Sequence, residues 1–245
     1  MIKNHIYAIR LAFSMMTTLP FFRFYEFREG LNGTAAAYYP VVGLALGGLV
    51  YATYLLLLPY LPFTVLAVCL FAFYTVLYGA LHLDGFVDTV DALHAPREAA
   101  ERVMKEPTIG AMGAIYGFLL LSVKLSAFCI VVKTPLFVLV PMLSRFGGVV
   151  SMFLFRYAKN SGMGYAAKME LTKPLFLFSL TVAILVTVFV DTKLFWLILF
   201  AFAVSAFVGS ILSRRFGGLS GDMYGFVIES SEAALLIALC VWIGI

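Results

Sequence analysis

The chain has 245 residues, of which 63% are apolar or aromatic and only 12% are charged. An average soluble domain is about a quarter charged, so this composition excludes a soluble fold with a polar coat and makes the lipid bilayer the solvent for most of the surface. The net charge of +4 hides an asymmetry along the chain. The cysteines, Cys69, Cys129 and Cys240, lie in apolar runs without metal-ligand spacing, which favours packing thiols over disulfides.

The apolar segments predict an all-α, polytopic membrane protein. The first stretch, Ile6 to Leu19, carries Arg10 and stops at Pro20 without a small-residue cleavage site, which predicts a short interfacial helix and no signal peptide. A membrane-spanning helix needs roughly 20 mostly apolar residues, and prolines punctuate the ends of such stretches. About seven spans are predicted: Val41–Leu58, Phe63–Leu83, Ile109–Val132, Leu136–Phe155, Leu175–Val190, Leu194–Leu212 and Met223–Ile245.

Two further features complete the predicted architecture. Pro141 lies inside the fourth predicted span, where a proline removes a backbone hydrogen bond and should kink the helix. The sequence has no convincing internal repeat, low-complexity tract or linker. Residues 1–245 are therefore predicted to form a single integral membrane domain.

Lysines and arginines are distributed unevenly between the two sets of loops. One set contains Lys3, Arg10, Arg23, Arg28, Arg97, Arg102, Lys105, Arg156, Lys159, Lys168, Lys173, Arg214 and Arg215. The opposite set contains only Lys133 and Lys193. By the positive-inside rule, the first set faces the cytoplasm, so a multi-pass protein of the cytoplasmic (inner) membrane with a cytoplasmic N-terminus is predicted. The regular alternation independently supports seven spans.

Three aspartates stand at the end of the second predicted span. Asp84, Asp88 and Asp91 are spaced by four and then three residues, so on a helix they share one face. Like charges on one face need a cation among them, and oxygen ligands favour Mg²⁺ or Mn²⁺ over zinc. Gly85 leaves room for a backbone or a substrate phosphate to approach closely. The alternative interpretation is that this is a solvent-exposed helix end whose acidic residues bind no metal ion.

A second acidic set opens the last predicted span. Asp222 and Glu229 are two helical turns apart and share a face, and Glu232 lies one turn deeper. An ionisable residue inside a span costs roughly 2.5–3.5 kcal/mol on insertion scales, so these residues need a role. The glycine run Gly217–Gly225, which includes Gly221, could cradle a phosphate at the helix start. The alternative is a structural turn.

Two basic residues lie within predicted spans. Arg145 is expected to pair with an acid or a phosphate, and Lys124, which lies deeper, is expected to have a structural partner. Pairing of Glu229 or Glu232 with these cations purely for structure is the alternative to a functional role. Lys105, just before the third span, is either a phosphate contact or an anchor at the membrane surface. With the basic loops, the two acidic helices predict a metal-assisted site for a phosphate or pyrophosphate substrate at the cytoplasmic face.

Several motifs resemble one known family, from about residue 10 to the end of the chain. The segments that resemble the signatures of the cobalamin synthase (adenosylcobinamide-GDP ribazoletransferase) family are Thr18–Pro20, Tyr39–Gly43, Leu81–Leu93, Met104–Gly113 and Gly217–Gly225 with Glu229 and Glu232. The family often has aspartate and serine where this chain has Glu106 and Pro107.

The resemblance implies a Mg²⁺-dependent membrane enzyme that joins adenosylcobinamide-GDP to α-ribazole or its phosphate and releases GMP. The expected metal ligands are Asp84, Asp88 and Asp91 with help from Asp222 or Glu229. The expected base is Asp91 or Asp222, and both stay open. The candidate substrate-binding residues are Gly85, Lys105, Arg145, Gly221 and Glu232. No nucleic-acid partner is expected, and a homo-oligomer is possible.

Two other functions compete with this one. A CDP-alcohol phosphotransferase resembles this chain in its Asp-Gly-x-x opening but next has alanine and arginine, where this chain has Asp88 and Thr89. A metabolite or ion transporter would use the buried charges as a pathway, although transporters place such groups near the membrane midplane in broken helices. Here most acidic residues fall at one face.

The loop charges predict that the C-terminus lies outside the cytoplasm. A C-terminal phosphatase fusion should therefore be active in cells, and a C-terminal fluorescent protein that matures only in the cytoplasm should stay dark. The reverse pattern would mean that the number of spans is wrong by an odd number.

Overall fold

The computed structural model describes residues 2–20, 30–159 and 161–244, and these residues are predominantly helical. Two short 3₁₀ segments, Pro135–Val138 and Thr192–Phe195, lead directly into longer helices. The α-helices in chain order are α1 (Ile2–Met16), α2 (Asn32–Ala37), α3 (Tyr39–Leu57), α4 (Phe63–Leu77), α5 (Leu81–His94), α6 (Arg97–Val103), α7 (Ala111–Val131), α8 (Leu139–Leu154), α9 (Met163–Glu170), α10 (Lys173–Val190), α11 (Trp196–Phe216) and α12 (Gly221–Gly244).

The long apolar helices confirm the predicted fold class. Among the described residues, six helical segments are long and apolar enough to cross a membrane: α3, α7, α8 with its 3₁₀ segment, α10, α11 with its 3₁₀ segment, and α12. The pair formed by α4 and α5 also passes as one unit, and counting it as one span gives seven. The chain is therefore an all-α, multi-pass membrane protein.

The predicted span Phe63–Leu83 is wrong in its last turn. α4 ends at Leu77, α5 begins at Leu81, and the two helix axes meet at 83°. Gly79 and Ala80 both have positive φ angles, of 72° and 50°, and a left-handed pair cannot continue a right-handed helix. The bend turns α5 away from the direction of α4, so the aspartates do not continue the span.

Other boundaries shift by a few residues. The N-terminal helix runs from Ile2 to Met16, earlier than the predicted Ile6–Leu19. Pro141, which was predicted to kink the fourth span, lies in the first turn of α8, which begins at Leu139. A proline there sacrifices no hydrogen bond, since the first helical N–H groups have no partner within the helix.

The basic segments gather at one end of the bundle, here called the basic end. Hydrogen bonds tie these segments together by pairing Thr18 with Leu77, Ala95 with Arg215, Arg156 with Leu219 and Asn32 with Glu170. Arg23 and Arg28, which were also counted in this set, lie outside the described residues. The grouping agrees with the loop alternation, and the side of the membrane that the basic end faces stays a prediction.

A cluster of charged side chains is buried in the middle of the bundle. Lys124 of α7 forms ion pairs with Glu229 and, at 2.8 Å, with Glu232, both of α12. Arg145 of α8 pairs with Glu232 at 3.1 Å, and Tyr74 of α4 donates a hydrogen bond to the same carboxylate at 2.7 Å. The four charged side chains are at most 1% exposed. Two cations and two anions thus compensate one another across three helices, and the hydroxyl of Tyr74 connects a fourth.

Removing one member of this ion cluster should destabilise the bundle strongly. In Lys124→Met, the two glutamates lose a shared cation in an apolar interior, and breaking a buried pair in this way typically costs about 3–5 kcal/mol. We expect a large drop in thermal stability in detergent. The control is Lys193→Met, which removes an exposed lysine at the opposite end and should leave stability nearly unchanged. Equal stability of the two variants would contradict the role of the cluster.

Candidate active site

α5 crosses the first turns of α12 at very short range. A Cβ atom on Gly85 would lie 2.6 Å from the carbonyl oxygen of Asp222, and one on Gly225 would lie 2.9 Å from that of His82. The rings of Phe86 and Phe226 stack between the same helices with centroids 4.7 Å apart. Gly85 therefore admits the backbone of α12, which was one of its two predicted uses.

The crossing brings the aspartates of α5 and α12 into one group. Asp84 is exposed, whereas Asp88 and Asp222 are partly buried. α5 lies outside the six long spans, and burial raises the pKa of Asp88 to about 6, with further contributions from the negative charges of Asp84, Asp222 and Asp91. The carboxylates are therefore close enough to repel one another.

Asp91 has a structural task at the start of α7. Its two carboxylate oxygens accept hydrogen bonds from the backbone N–H groups of Gly110, at 2.8 Å, and Gly113, at 2.7 Å. These N–H groups have no partner within α7, and a negative charge at a helix N-terminus is favourable. Asp91 thus caps a neighbouring helix from α5, and the absence of a Cβ at both glycines makes the approach possible.

The glycine run before α12 serves chain packing more than ligand binding. Gly217 ends α11 with a φ of 77°, a conformation that favours glycine. A Cβ on Gly218 would lie 2.8 Å from the backbone nitrogen of Ala158, so that loop fills its space. Gly221 is exposed, and Ser220 accepts a hydrogen bond from the N–H of Met223 at 3.4 Å. Of these residues, Gly221 and Asp222 remain open to a ligand.

Two cavities flank the start of α12. The basic cavity, of about 220 Å³, is lined by Arg97, Glu101, Lys159 and Arg215 together with Ser220 and Met223. The apolar cavity, of about 190 Å³, is lined mostly by apolar and aromatic residues, including three methionines and two tyrosines, with His82, Gly221 and Asp222 at its wall. Among the described residues, the buried Nδ1 of His82 has no hydrogen-bond partner. The aspartate group therefore adjoins one cavity suited to anions and one suited to an apolar or aromatic group.

The remaining predicted site residues lie elsewhere. Glu229, Glu232 and Arg145 belong to the buried ion cluster, which agrees with the alternative that these charges pair with one another for structure. The structure does not bring them to the aspartates of α5. Lys105 is exposed and pairs with Glu101 at 2.9 Å. The assignment of metal or substrate contacts to these residues stays a prediction.

The aspartate group has the chemistry that Mg²⁺ prefers. Within the described residues, no three His, Cys, Asp or Glu side chains are arranged ready to hold a metal ion. The donors nevertheless fit, because they are all carboxylate oxygens and the charges that act on Asp88 are all negative. A divalent cation bound by Asp84, Asp88 and Asp222 would relieve this repulsion.

Comparison with known proteins identifies the family. The profile described as Cobalamin-5-phosphate synthase matches residues 8–240. The chain belongs to this family. Family membership confirms the resemblance seen in the motifs and the expectation of an enzyme, and it favours neither a transporter nor a phospholipid-synthesising enzyme. No solved structure matches this chain.

Curated relatives in the family carry one common name, adenosylcobinamide-GDP ribazoletransferase. The protein from Desulfitobacterium hafniense is 35% identical over 82% of this chain and 83% of its own length. One from Pseudomonas putida is 32% identical over 84% of this chain and 87% of its own. One from Deinococcus radiodurans is 31% identical over 96% of this chain and 86% of its own. The similarity therefore extends over nearly the whole membrane domain.

The sequence alone did not single out the basic cavity. Arg97, Lys159 and Arg215 are separated by dozens of residues, and each has the signature of an ordinary positive-inside anchor. Their convergence depends on how α6, the loop after α8 and the end of α11 pack together. The only available signal was the density of basic residues in these loops.

The raised pKa of Asp88 predicts a gain in stability when its charge is removed. Above pH 6 the folded protein holds an ionised Asp88 against its neighbours, and this cost declines as the pH falls from about 6 toward the ordinary carboxyl value of 3.8. Without divalent metal at pH 7.5, Asp88→Asn should be more stable than the wild type by about 1 kcal/mol, or roughly 2–4 °C, after screening by solvent. The difference should shrink as the pH falls below about 6 and vanish below about 3.8, where Asp88 is protonated in the folded and the unfolded chain alike.

Two controls make the Asp88 measurement specific. Glu98→Gln removes an exposed acid from the first turn of α6 and should show no such pH-dependent gain. Mg²⁺ should stabilise the wild type more than Asp88→Asn. A variant that is less stable than the wild type at pH 7.5 in the absence of metal would contradict the assigned repulsion.

Proposed function

We propose that this protein joins adenosylcobinamide-GDP to α-ribazole or α-ribazole phosphate, giving adenosylcobalamin or its phosphate and GMP. The reaction is a Mg²⁺-dependent phosphoryl transfer in which a ribose hydroxyl attacks the phosphorus on the cobinamide side of the pyrophosphate. Family membership and the shared name of the curated relatives support this choice. The reaction completes the nucleotide loop of the cobalamin molecule.

One observation carries the proposal: the aspartates of α5 meet Asp222 of α12 beside a basic cavity. A pyrophosphate substrate brings negative charge, and its transfer requires both a cation between the carboxylates and basic groups for the remaining oxygens. The group formed by Asp84, Asp88 and Asp222 would hold that cation. The cavity lined by Arg97 and Lys159 provides the basic groups. The juxtaposition fits phosphoryl transfer better than it fits an ion pathway.

The roles of the residues follow from their contacts. Asp84, Asp88 and Asp222 would hold Mg²⁺, which when bound polarises phosphorus and neutralises the pyrophosphate. Both oxygens of Asp91 already accept backbone hydrogen bonds, so of the two candidate bases we assign Asp222, whose second carboxylate oxygen would take the proton from the ribose hydroxyl while the first binds Mg²⁺.

The basic end is proposed to face the cytoplasm of the bacterial or archaeal cell from its inner membrane. The loop lysines and arginines support this orientation through the positive-inside rule. The 83° bend keeps α5 at that end of the bundle, where water-soluble nucleotide substrates would reach the aspartates without entering the lipid.

The transfer reaction tests the proposal directly. Purified protein in lipid nanodiscs, given adenosylcobinamide-GDP, α-ribazole and Mg²⁺, should release GMP and form the joined corrinoid in equal amounts, both measured by chromatography. Chelation of Mg²⁺ should stop the reaction. In Asp222→Asn, which keeps the shape of the side chain but removes its charge, the rate should fall by about 10²-fold or more, since a positioned base typically contributes 10²–10⁴-fold.

Glu98→Gln is the matched control for the loss of a carboxylate at the same end of the bundle, and it should retain wild-type turnover. Because Asp222 lies in the first turn of α12, where asparagine still fits, thermal stability should change little. Full activity of Asp222→Asn with unchanged Mg²⁺ dependence would exclude a site shared between α5 and α12. Absence of GMP release by the wild type would reject the reaction itself.

A further inference from the structure

We infer that the basic cavity binds the phosphate of the nucleotide part of the donor, the part that leaves as GMP. The inference rests on the proposed function and assigns one portion of the substrate to one cavity. Three cations line it, from α6 (Arg97), from the loop after α8 (Lys159) and from the end of α11 (Arg215). Three separate elements thus converge on a cavity with a surplus of positive charge.

The charges in the cavity leave room for an anion. Glu101 is the one acid in its lining, and this carboxylate already has an ion pair with Lys105 outside the cavity. Arg215 donates a hydrogen bond to the carbonyl of Ala95 at 2.7 Å, which holds the guanidinium in place before a ligand arrives. Among the described residues, Arg97 and Lys159 form no ion pair within 4.0 Å. The cavity therefore has a surplus of positive charge: Arg215 is held in place, Arg97 and Lys159 have no close ion pair, and Lys159 acts on the charge of Glu101 from a greater distance.

The position of the cavity selects the leaving phosphate. Ser220 and Met223 line it, so the cavity opens at the turn of α12 that carries Asp222, whose own side chain lines the opposite cavity. The opposite cavity, which also reaches Asp222, is mostly apolar and suits the aromatic base of the acceptor. A cavity of about 220 Å³ accommodates a phosphate group but not a corrin ring. The nucleotide phosphate is the donor portion that matches both size and charge.

This placement has a chemical consequence for the transfer. A bond forms between the ribose oxygen and the cobinamide-side phosphorus, while the bond from that phosphorus to the bridging oxygen breaks. The electron pair stays on the bridging oxygen of GMP, and the hydroxyl proton goes to Asp222. Cations beside the GMP phosphate stabilise the charge that develops there, so they should assist both donor binding and departure of GMP.

Replacing Arg97 and Lys159 by neutral residues tests whether the basic cavity binds the nucleotide phosphate. In Arg97→Gln and Lys159→Gln, the KM for adenosylcobinamide-GDP should rise by about 10-fold or more, because charge-assisted hydrogen bonds to phosphate are among the strong ones. The KM for α-ribazole should stay unchanged, and Lys159→Arg should recover most of the loss. The matched control is Arg214→Gln, an exposed arginine next to Arg215 that does not line the cavity, and it should behave as the wild type.

Binding of GMP to the full-length protein gives a second readout that does not require turnover. GMP should bind the wild type and Arg214→Gln with equal affinity and should bind Lys159→Gln about 10-fold more weakly, in line with the loss of one charge-assisted contact. An unchanged donor KM in both cavity variants would overturn the inference. A rise confined to the KM for α-ribazole phosphate would overturn it in favour of the acceptor's phosphate.

Failure of this inference differs from failure of the proposed function. If the wild type transfers the nucleotide loop but the cavity variants match it, only the placement of the phosphate is wrong. If the wild type shows no transfer, the proposed reaction is wrong, and weaker GMP binding by Lys159→Gln would still support an anion site in the cavity.

Discussion

Compensation of four buried charges is the constraint on which the rest of the bundle depends. Lys124, Arg145, Glu229 and Glu232 would each be costly alone in an apolar interior, and together they form a neutral cluster. Because both glutamates come from α12, the cluster fixes the rotation of this helix against α7 and α8. Asp222 lies two turns before Glu229 on the same helix, so the cluster also determines where the first turn of α12 points.

The second constraint is the short approach of α5 to that first turn. The left-handed pair Gly79 and Ala80 ends α4 and turns α5 across the end of the bundle. Gly85 then lets the backbones touch, which sets the aspartates of α5 beside Asp222. Close contact raises the repulsion between carboxylates, and the stability lost to this repulsion is what makes the group receptive to a divalent cation. The close approach of α5 to α12 thus both destabilises the metal-free protein and favours binding of a divalent cation.

The sequence predicted the elements that depend on local pattern. Apolar length located the spans, and the spacing of Asp84, Asp88 and Asp91 placed them on one helix. The break after Leu77 was missed because the predicted span, Phe63–Leu83, is mostly apolar on both sides of it, and the backbone angles of Gly79 and Ala80 are what distinguish a bend. The predicted site was harder to resolve, because the hydrogen bonds of Asp91 and the lining of the basic cavity depend on helices distant in sequence.

Because Asp91 caps α7, movement of α5, which carries the aspartates, is coupled to movement at the start of a membrane-crossing helix. The amide hydrogens of Gly110 and Gly113 are held by Asp91, so any displacement of α5 that carries Asp91 away exposes them to exchange with water. The start of a membrane-crossing helix and the neighbouring helix that carries Asp88 should therefore open and close as one cooperative unit. The hydrogen-exchange rates of Gly110 and Gly113 consequently report on the orientation of α5 while substrates bind and leave.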